Sequence, residues 1–217
     1  MPTPTPTTTT PTGKPRHFSM IRDFHVADFF TLGNAACGVA AVFCAMVFMG
    51  TEEMDYFWIA AVLAPVAFTF DVLDGKIARA RQEHSILGRE LDSLADVISF
   101  GVAPAALAFA SGLRGGWDWA ILIYFVCCGV SRLARFNVTA ETLSAGGAKV
   151  KYFEGTPIPT SVVLVAVLAV CAWIGRLGDD IPGGAWEIGG AVLHPLTLLF
   201  FASGSMMISK TLRIPKP

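Results

Sequence analysis

The sequence predicts an all-α membrane protein whose chain crosses the bilayer six times, and three observations lead to this fold class. Hydrophobic residues make up 53% of the 217 residues and charged residues only 15%, whereas soluble domains carry about a quarter charged residues. Long uncharged runs recur along the chain, and a membrane-spanning helix needs about 20 such residues. Lys and Arg residues fall almost entirely on one side of the resulting topology, which is typical of membrane proteins.

The first element is a Pro- and Thr-rich tail at residues 1–17, for which we expect disorder because it has little apolar surface to bury. Residues 18–217 form the predicted six-helix domain. Four of its spans are uncharged runs of 17 to 22 residues, the shortest of which extends backward through Leu94 and Ala95. These runs cover residues 29–49, 97–113, 156–175 and 188–209.

The other two spans are interrupted by charge. Residues 56–70 are apolar until Asp71, and residues 119–131 are apolar until Arg132. Both runs are too short to cross a bilayer unless their helices continue through the charged residues. We therefore expect two helices to carry charge into or beside the membrane.

The distribution of positive charge predicts the orientation. With six spans, all but two of the 16 Lys and Arg residues lie on one side, and the exceptions are Arg114 and Arg176. The positive-inside rule then places both termini in the cytoplasm of an integral cell-membrane protein. The net charge of −1 indicates no nucleic-acid partner.

The most informative stretch begins at Asp71 and ends at Asp96. Asp71 and Asp74 are three residues apart, and Asp92 and Asp96 are four apart, so each pair shares one face of a helix. We expect the two helices to form a hairpin that brings the pairs together near its cytoplasmic end. Carboxylates clustered at a membrane boundary repel, and hard divalent ions such as Mg²⁺ or Mn²⁺ relieve that repulsion. Four carboxylates are suited to two ions.

Small residues accompany the acids. Gly75 and Ala78 lie one turn beyond the first pair, and Gly88 lies one turn before Asp92. Their size allows a ligand to approach the backbone, and Arg79 offers a planar set of donors suited to a phosphate.

The pattern DxxDGxxAR, eight residues and GxxxDxxxD resembles the signature of the CDP-alcohol phosphatidyltransferase family at all eight fixed positions. Members transfer a substituted phosphate from a CDP-linked donor to an alcohol and release CMP. The resemblance implies that Asp71, Asp74 and Asp92 bind metal or nucleotide. It also implies that Asp96 contacts metal and is the proposed general base. The small residues and the arginine described above would line the CDP site, and the protein would be a homodimer.

Three further segments resemble the phosphatidylserine synthase branch of that family, at residues 94–105, 132–137 and 152–160. Glu154 and Thr156 depart from the branch pattern. The resemblance implies CDP-diacylglycerol as donor and L-serine as acceptor. Arg132 and Arg135 fall in the last turn of the fourth predicted helix, where either is suited to bind the serine carboxylate. Anchoring of the helix end by positive charge accounts for each arginine equally well.

Some alternatives stay open at this point. Asn34 is a candidate to contact the nucleotide, although interhelical hydrogen bonding is the favoured account. Arginines would also suit glycerol phosphate or inositol phosphate as the acceptor. A divalent-cation transporter is the alternative from another class, but its ion site should lie at the bilayer midplane between structural repeats. The sequence shows no repeat, and its acids are predicted at the cytoplasmic end.

Overall fold

The computed structural model describes residues 25–81, 86–146, 152–209 and 213–215, which are predominantly helical. A π-helical segment, Val97–Val102, joins the third helix to the fourth without a break. The predicted tail at residues 1–17 lies outside the described residues. In chain order the helices are α1 Val26–Thr51, α2 Met54–Arg81, α3 Ile86–Asp96, α4 Ala103–Ala110, α5 Gly116–Gly146, α6 Val162–Trp173 and α7 Leu198–Ile208.

Four short strands accompany the helices, which the all-α prediction did not include. Strand β1, Tyr152–Glu154, pairs antiparallel with β4, Arg213–Pro215, and so joins the segment before α6 to the C-terminal residues. Strand β2, Trp186–Ile188, pairs antiparallel with β3, Ala191–Leu193, to form a hairpin.

Four helical stretches are long and apolar enough to cross a membrane. These stretches are Val26–Thr51, Met54–Arg81, Leu87–Ala110 and Gly116–Thr139. In the described part of the chain, the last two predicted spans correspond to apolar helices of only 10 to 17 residues, Ile158–Trp173 and Pro195–Ile208. The protein is thus an integral membrane protein in which, among the described residues, four helical stretches are long enough to span the bilayer and two apolar helices are shorter.

The two helices predicted to continue through charged residues do so. Helix α2 runs through Asp71 and ends at Arg81, and α5 runs past Arg132 to Gly146. Helices α1 and α2 form a tight antiparallel pair, because only Glu52 and Glu53 separate them and Glu52 adopts a left-handed conformation.

Alanines on facing sides of the first two helices bring their backbones close together. Ala41 and Ala45 of α1 and Ala60 and Ala64 of α2 are buried in one apolar cluster. Small residues allow such close packing. Inside a membrane the lipid tails are as apolar as the side chains, so close packing takes the place of the hydrophobic effect in holding helices together.

The predicted span at residues 188–209 is wrong in its first half. Gly189 and Gly190 both have positive φ angles and make the turn of the β2–β3 hairpin. The indole Nε1 of Trp117, at the start of α5, donates a hydrogen bond to the Ile188 carbonyl oxygen over 2.8 Å. The uncharged run had suggested continuous helix, but its glycine pair ends one strand and begins another.

A buried carboxylate holds this hairpin and α7 against α5. Asp118 is fully buried and accepts hydrogen bonds from the Gly115 N–H, the His194 N–H and the Thr197 hydroxyl, over 2.7 to 2.9 Å. The His194 ring contacts the same carboxylate. These contacts fix the start of α7 beside the start of α5, and the two helices then run in the same direction.

Candidate active site

The acidic pairs of α2 and α3 meet as the sequence predicted. One oxygen each of Asp71, Asp74 and Asp92 lies within 4.8 Å of the other two. The residues that connect the helices, 82–85, lie outside the described part. Each pair lies on a continuous helix, so helical spacing puts its two carboxylates on one face, and the packing of the two helices brings these faces together.

These carboxylates form no ion pair with a basic side chain in the described part of the chain. No Lys or Arg there lies within ion-pair distance of any motif aspartate. The Oδ1 atom of Asp92 is buried and has no hydrogen-bond partner among the same residues. An all-carboxylate donor set with a free buried oxygen fits a hard divalent cation such as Mg²⁺ or Mn²⁺.

Helix α1 adds polar residues that the sequence analysis did not assign to the site. The Thr31 hydroxyl donates a hydrogen bond to Asp74 Oδ2 over 2.7 Å. Asp28, one turn earlier, is buried and lies within electrostatic reach of Asp74. Together with Asn34 and Gly38, these two residues recur at helical spacing and form one face of polar or small residues along α1. This spacing can be read from the sequence.

Asp96 lies beside the three clustered aspartates but has a different partner. Its Oδ1 atom accepts a hydrogen bond from Asn34 Nδ2 over 3.3 Å, and both side chains are buried. The interhelical bond expected for Asn34 is therefore present, and it is made to the candidate base.

The π-helical segment holds Asn34 in place. The Ser99 hydroxyl donates a 2.8 Å hydrogen bond to the Asn34 carbonyl oxygen. Gly38 makes this approach possible, because a Cβ atom on it would stand 2.7 Å from the Cα of Ser99. π-Helical segments are frequent at functional sites, and this one begins directly after Asp96.

The residues predicted to line a nucleotide site lie along the same two helices. Gly75, Ala78 and Gly88 are half-buried, and Arg79 is exposed. A Cβ atom on Gly75 would stand 3.9 Å from Arg79 Nη2, so the guanidinium folds back over the glycine. The guanidinium is thus in ordinary van der Waals range of this position, and both groups are available to one ligand.

The two candidate arginines of α5 differ in environment. Arg132 is half-buried and within electrostatic reach of Asp96, and its buried Nε has no hydrogen-bond partner within the described ranges. Arg135, almost one turn further along the helix, is exposed. The structure therefore brings only Arg132 to the acids.

A side-chain bridge sets the position of α5 relative to α3. Asn137 donates hydrogen bonds to Glu90 Oε2 over 3.2 Å and to the Ser93 hydroxyl over 3.0 Å. Both acceptors lie on α3 beside Asp92. This bridge fixes the part of α5 that carries Arg132. The prediction that Arg132 and Arg135 lie in the last turn of the helix is wrong, because α5 continues to Gly146.

The chain is similar to proteins of a known family. The model of the family described as CDP-alcohol phosphatidyltransferase matches residues 24–202. A CDP-diacylglycerol–serine O-phosphatidyltransferase from Saccharomyces cerevisiae is 45% identical over 95% of this chain and 76% of its own length.

More distant relatives cover less of both chains. An enzyme of the same name from Helicobacter pylori is 37% identical over 64% of this chain and 54% of its own. An archaetidylserine synthase from Methanothermobacter thermautotrophicus is 42% identical over 49% of this chain and 44% of its own.

Proposed function

The chain belongs to the CDP-alcohol phosphatidyltransferase family, and we propose that it transfers a phosphatidyl group from CDP-diacylglycerol to L-serine in phospholipid biosynthesis. The observation that carries this proposal is the match along almost the whole chain to a yeast enzyme with that activity. The products are phosphatidylserine and CMP.

The reaction exchanges one phosphorus–oxygen bond for another. The serine hydroxyl oxygen bonds to the lipid-side phosphorus, the bond from that phosphorus to the CMP oxygen breaks, and CMP leaves. Asp96 accepts the hydroxyl proton, because a carboxylate beside the acceptor can act as a general base. Its buried position and its bond to Asn34 support this role.

Divalent cations are the cofactors that the acid cluster suits. We assign two Mg²⁺ or Mn²⁺ ions to Asp71, Asp74 and Asp92, with Asp96 completing the set; the unpaired charge and the free Asp92 oxygen support this assignment. When bound, such ions neutralise the pyrophosphate and stabilise the leaving group.

The remaining site residues bind the two substrates. Gly75, Ala78 and Gly88 allow the CDP group to approach the backbone, and Arg79 donates to its phosphates. Arg132 binds the serine carboxylate in this proposal, since it is the candidate arginine that faces the acids.

In the membrane we propose six crossing segments, with both termini and the active site on the cytoplasmic side of the cell membrane. The biased distribution of basic residues supports this orientation. The two short apolar helices would provide the fifth and sixth crossings. We also propose a homodimer, as the family resemblance implies.

An acceptor screen tests the function. Purified protein in detergent is supplied with CDP-diacylglycerol and Mn²⁺, and CMP release is measured with L-serine, glycerol 3-phosphate, inositol phosphate and inositol. We expect release with serine alone. Release with another alcohol but not with serine would overturn the proposed acceptor, while leaving the family chemistry intact.

A further inference from the structure

The amide of Asn34 is only half used. Its Nδ2 donates to Asp96, but its Oδ1 has no hydrogen-bond partner in the described part of the chain although the residue is fully buried. A buried polar atom without a partner is costly. Such an atom beside a candidate base is suited to accept a hydrogen bond from a bound substrate.

A second buried atom without a partner belongs to α5. The Nε–H of Arg132 has no acceptor among the described residues, and the guanidinium lies within electrostatic reach of the Asp96 carboxylate. The surroundings of Asp96 therefore include a free acceptor on α1 and a free donor on α5.

The acceptor substrate fits this combination of groups. The central carbon of serine carries an ammonium group, a carboxylate and the hydroxymethyl group that reacts. When the hydroxyl contacts Asp96, the ammonium lies one carbon away and can donate to a neighbouring acceptor. The serine carboxylate can accept hydrogen bonds from a nearby guanidinium.

We propose that Asn34 Oδ1 binds the ammonium group of the acceptor amino acid, and that Asn34 is therefore a specificity-determining residue. This inference rests on the proposed function. Glycerol phosphate and inositol phosphate offer only a neutral hydroxyl next to the reacting one, so they would give the Asn34 oxygen a weaker, uncharged donor. A site built to hydrogen-bond one group rejects analogues that lack it.

Two analogues of serine distinguish the contact to its ammonium group from the contact to its carboxylate. The acceptor 3-hydroxypropanoate lacks the ammonium group, and ethanolamine lacks the carboxylate. With saturating CDP-diacylglycerol and Mn²⁺, kcat/KM is measured for each acceptor with the full-length wild-type protein and its variants.

We expect Asn34→Leu to reduce kcat/KM for serine and ethanolamine by about 10- to 100-fold more than for 3-hydroxypropanoate, because only the first two have the ammonium. Arg132→Met should instead penalise serine and 3-hydroxypropanoate more than ethanolamine. Asn137→Leu is the matched comparison, since it removes a buried amide that bonds Ser93 and Glu90 and positions Arg132 rather than Asn34. It should therefore not spare 3-hydroxypropanoate relative to serine and ethanolamine.

An equal reduction for all three acceptors in Asn34→Leu would show that Asn34 acts only through Asp96, and would overturn the inference. Where turnover is too low, the same comparison is made with acceptor-dependent thermal shifts of protein saturated with Mn²⁺ and CMP. Asn34→Ala repeats the test if the leucine variant does not fold. Failure of the wild-type protein to use serine would instead refute the proposed function.

Discussion

Asp92 shows at the scale of one residue why the site needs a cation. Its Oδ1 is buried without a partner, and oxygens of Asp71 and Asp74 lie within 4.8 Å. Three carboxylates at this separation repel unless a positive charge lies between them. In the described part of the chain no basic side chain takes that place.

Removal of any one of these charges should stop the reaction. We expect Asp71→Asn, Asp74→Asn and Asp92→Asn each to lower CMP release at least about 100-fold, because a metal's charge stabilisation is worth several kcal/mol. Asp55→Asn, an exposed position at the start of the same helix as Asp71, is the control and should keep full activity. Full activity in two of the three variants, or activity in excess EDTA, would contradict the metal assignment.

A substitution of Asp96 should lower turnover without weakening the binding of CDP-diacylglycerol. The Asp96→Asn side chain keeps its shape and one ligand oxygen but is a far weaker proton acceptor. Turnover should then fall by about 10²- to 10⁴-fold, while the affinity for CDP-diacylglycerol stays near that of the wild type. Calorimetric binding and single-turnover CMP release on one preparation decide the matter. A parallel loss of binding would make Asp96 primarily a metal ligand.

The motif predicted the site at this scale only in part. Helical spacing puts Asp71 and Asp74 on one face, and the short connection to the next helix predicted a hairpin that brings them to Asp92. The contacts from Thr31 to Asp74 and from Asn34 to Asp96 depend on which face of α1 meets α3. That choice follows from packing between distant segments, which local spacing does not determine.

Among the elements, the contact between α1 and the π-helical segment is the tightest constraint near the site. Gly38 and Ser99 bring the two backbones together, and the Ser99 hydroxyl holds the carbonyl oxygen of Asn34. The register of α1 against Asp96 therefore depends on a residue without a side chain.

Gly38→Ala should separate these two elements. The added methyl group would force a backbone shift, and overpacking of this kind costs about 1–3 kcal/mol. We expect a lower thermal midpoint in detergent and reduced CMP release. Gly50→Ala, in the same helix, is the control, because a Cβ atom there meets nothing within 4 Å; that variant should be neutral or slightly stabilised. Equal behaviour of both variants would refute the constraint.

Element type was predictable where charge or length decided it. The continuation of α2 and α5 through Asp71 and Arg132 followed from the bilayer thickness. The π-helical segment gave no signal in an uninterrupted apolar run. The hairpin turn at Gly189 and Gly190 did give one, but the hydropathy of residues 188–209 concealed it.

For the whole molecule, the arrangement in the membrane is the main prediction still to be tested. With the basic residues concentrated on one side, reporter fusions at both termini should give cytoplasmic signals. Cysteine substitutions at Thr51 and Asp180, which lie on the side opposite to the termini in this topology, should react with a membrane-impermeant reagent from outside. An external C-terminus would break the proposal of six crossings.

The two short apolar helices described above are shorter than the thickness of the hydrocarbon core, whereas the four long ones are not. At about 1.5 Å per residue, Ile158–Trp173 and Pro195–Ile208 extend roughly 24 Å and 21 Å, against a hydrocarbon core of about 30 Å. Lipids next to these helices must compress or tilt to match them, which stores elastic energy in the surrounding bilayer. Turnover in nanodiscs, with one donor lipid throughout, should therefore be higher in short-chain than in long-chain phosphatidylcholine, and equal rates would argue that the mismatch is absorbed by the protein.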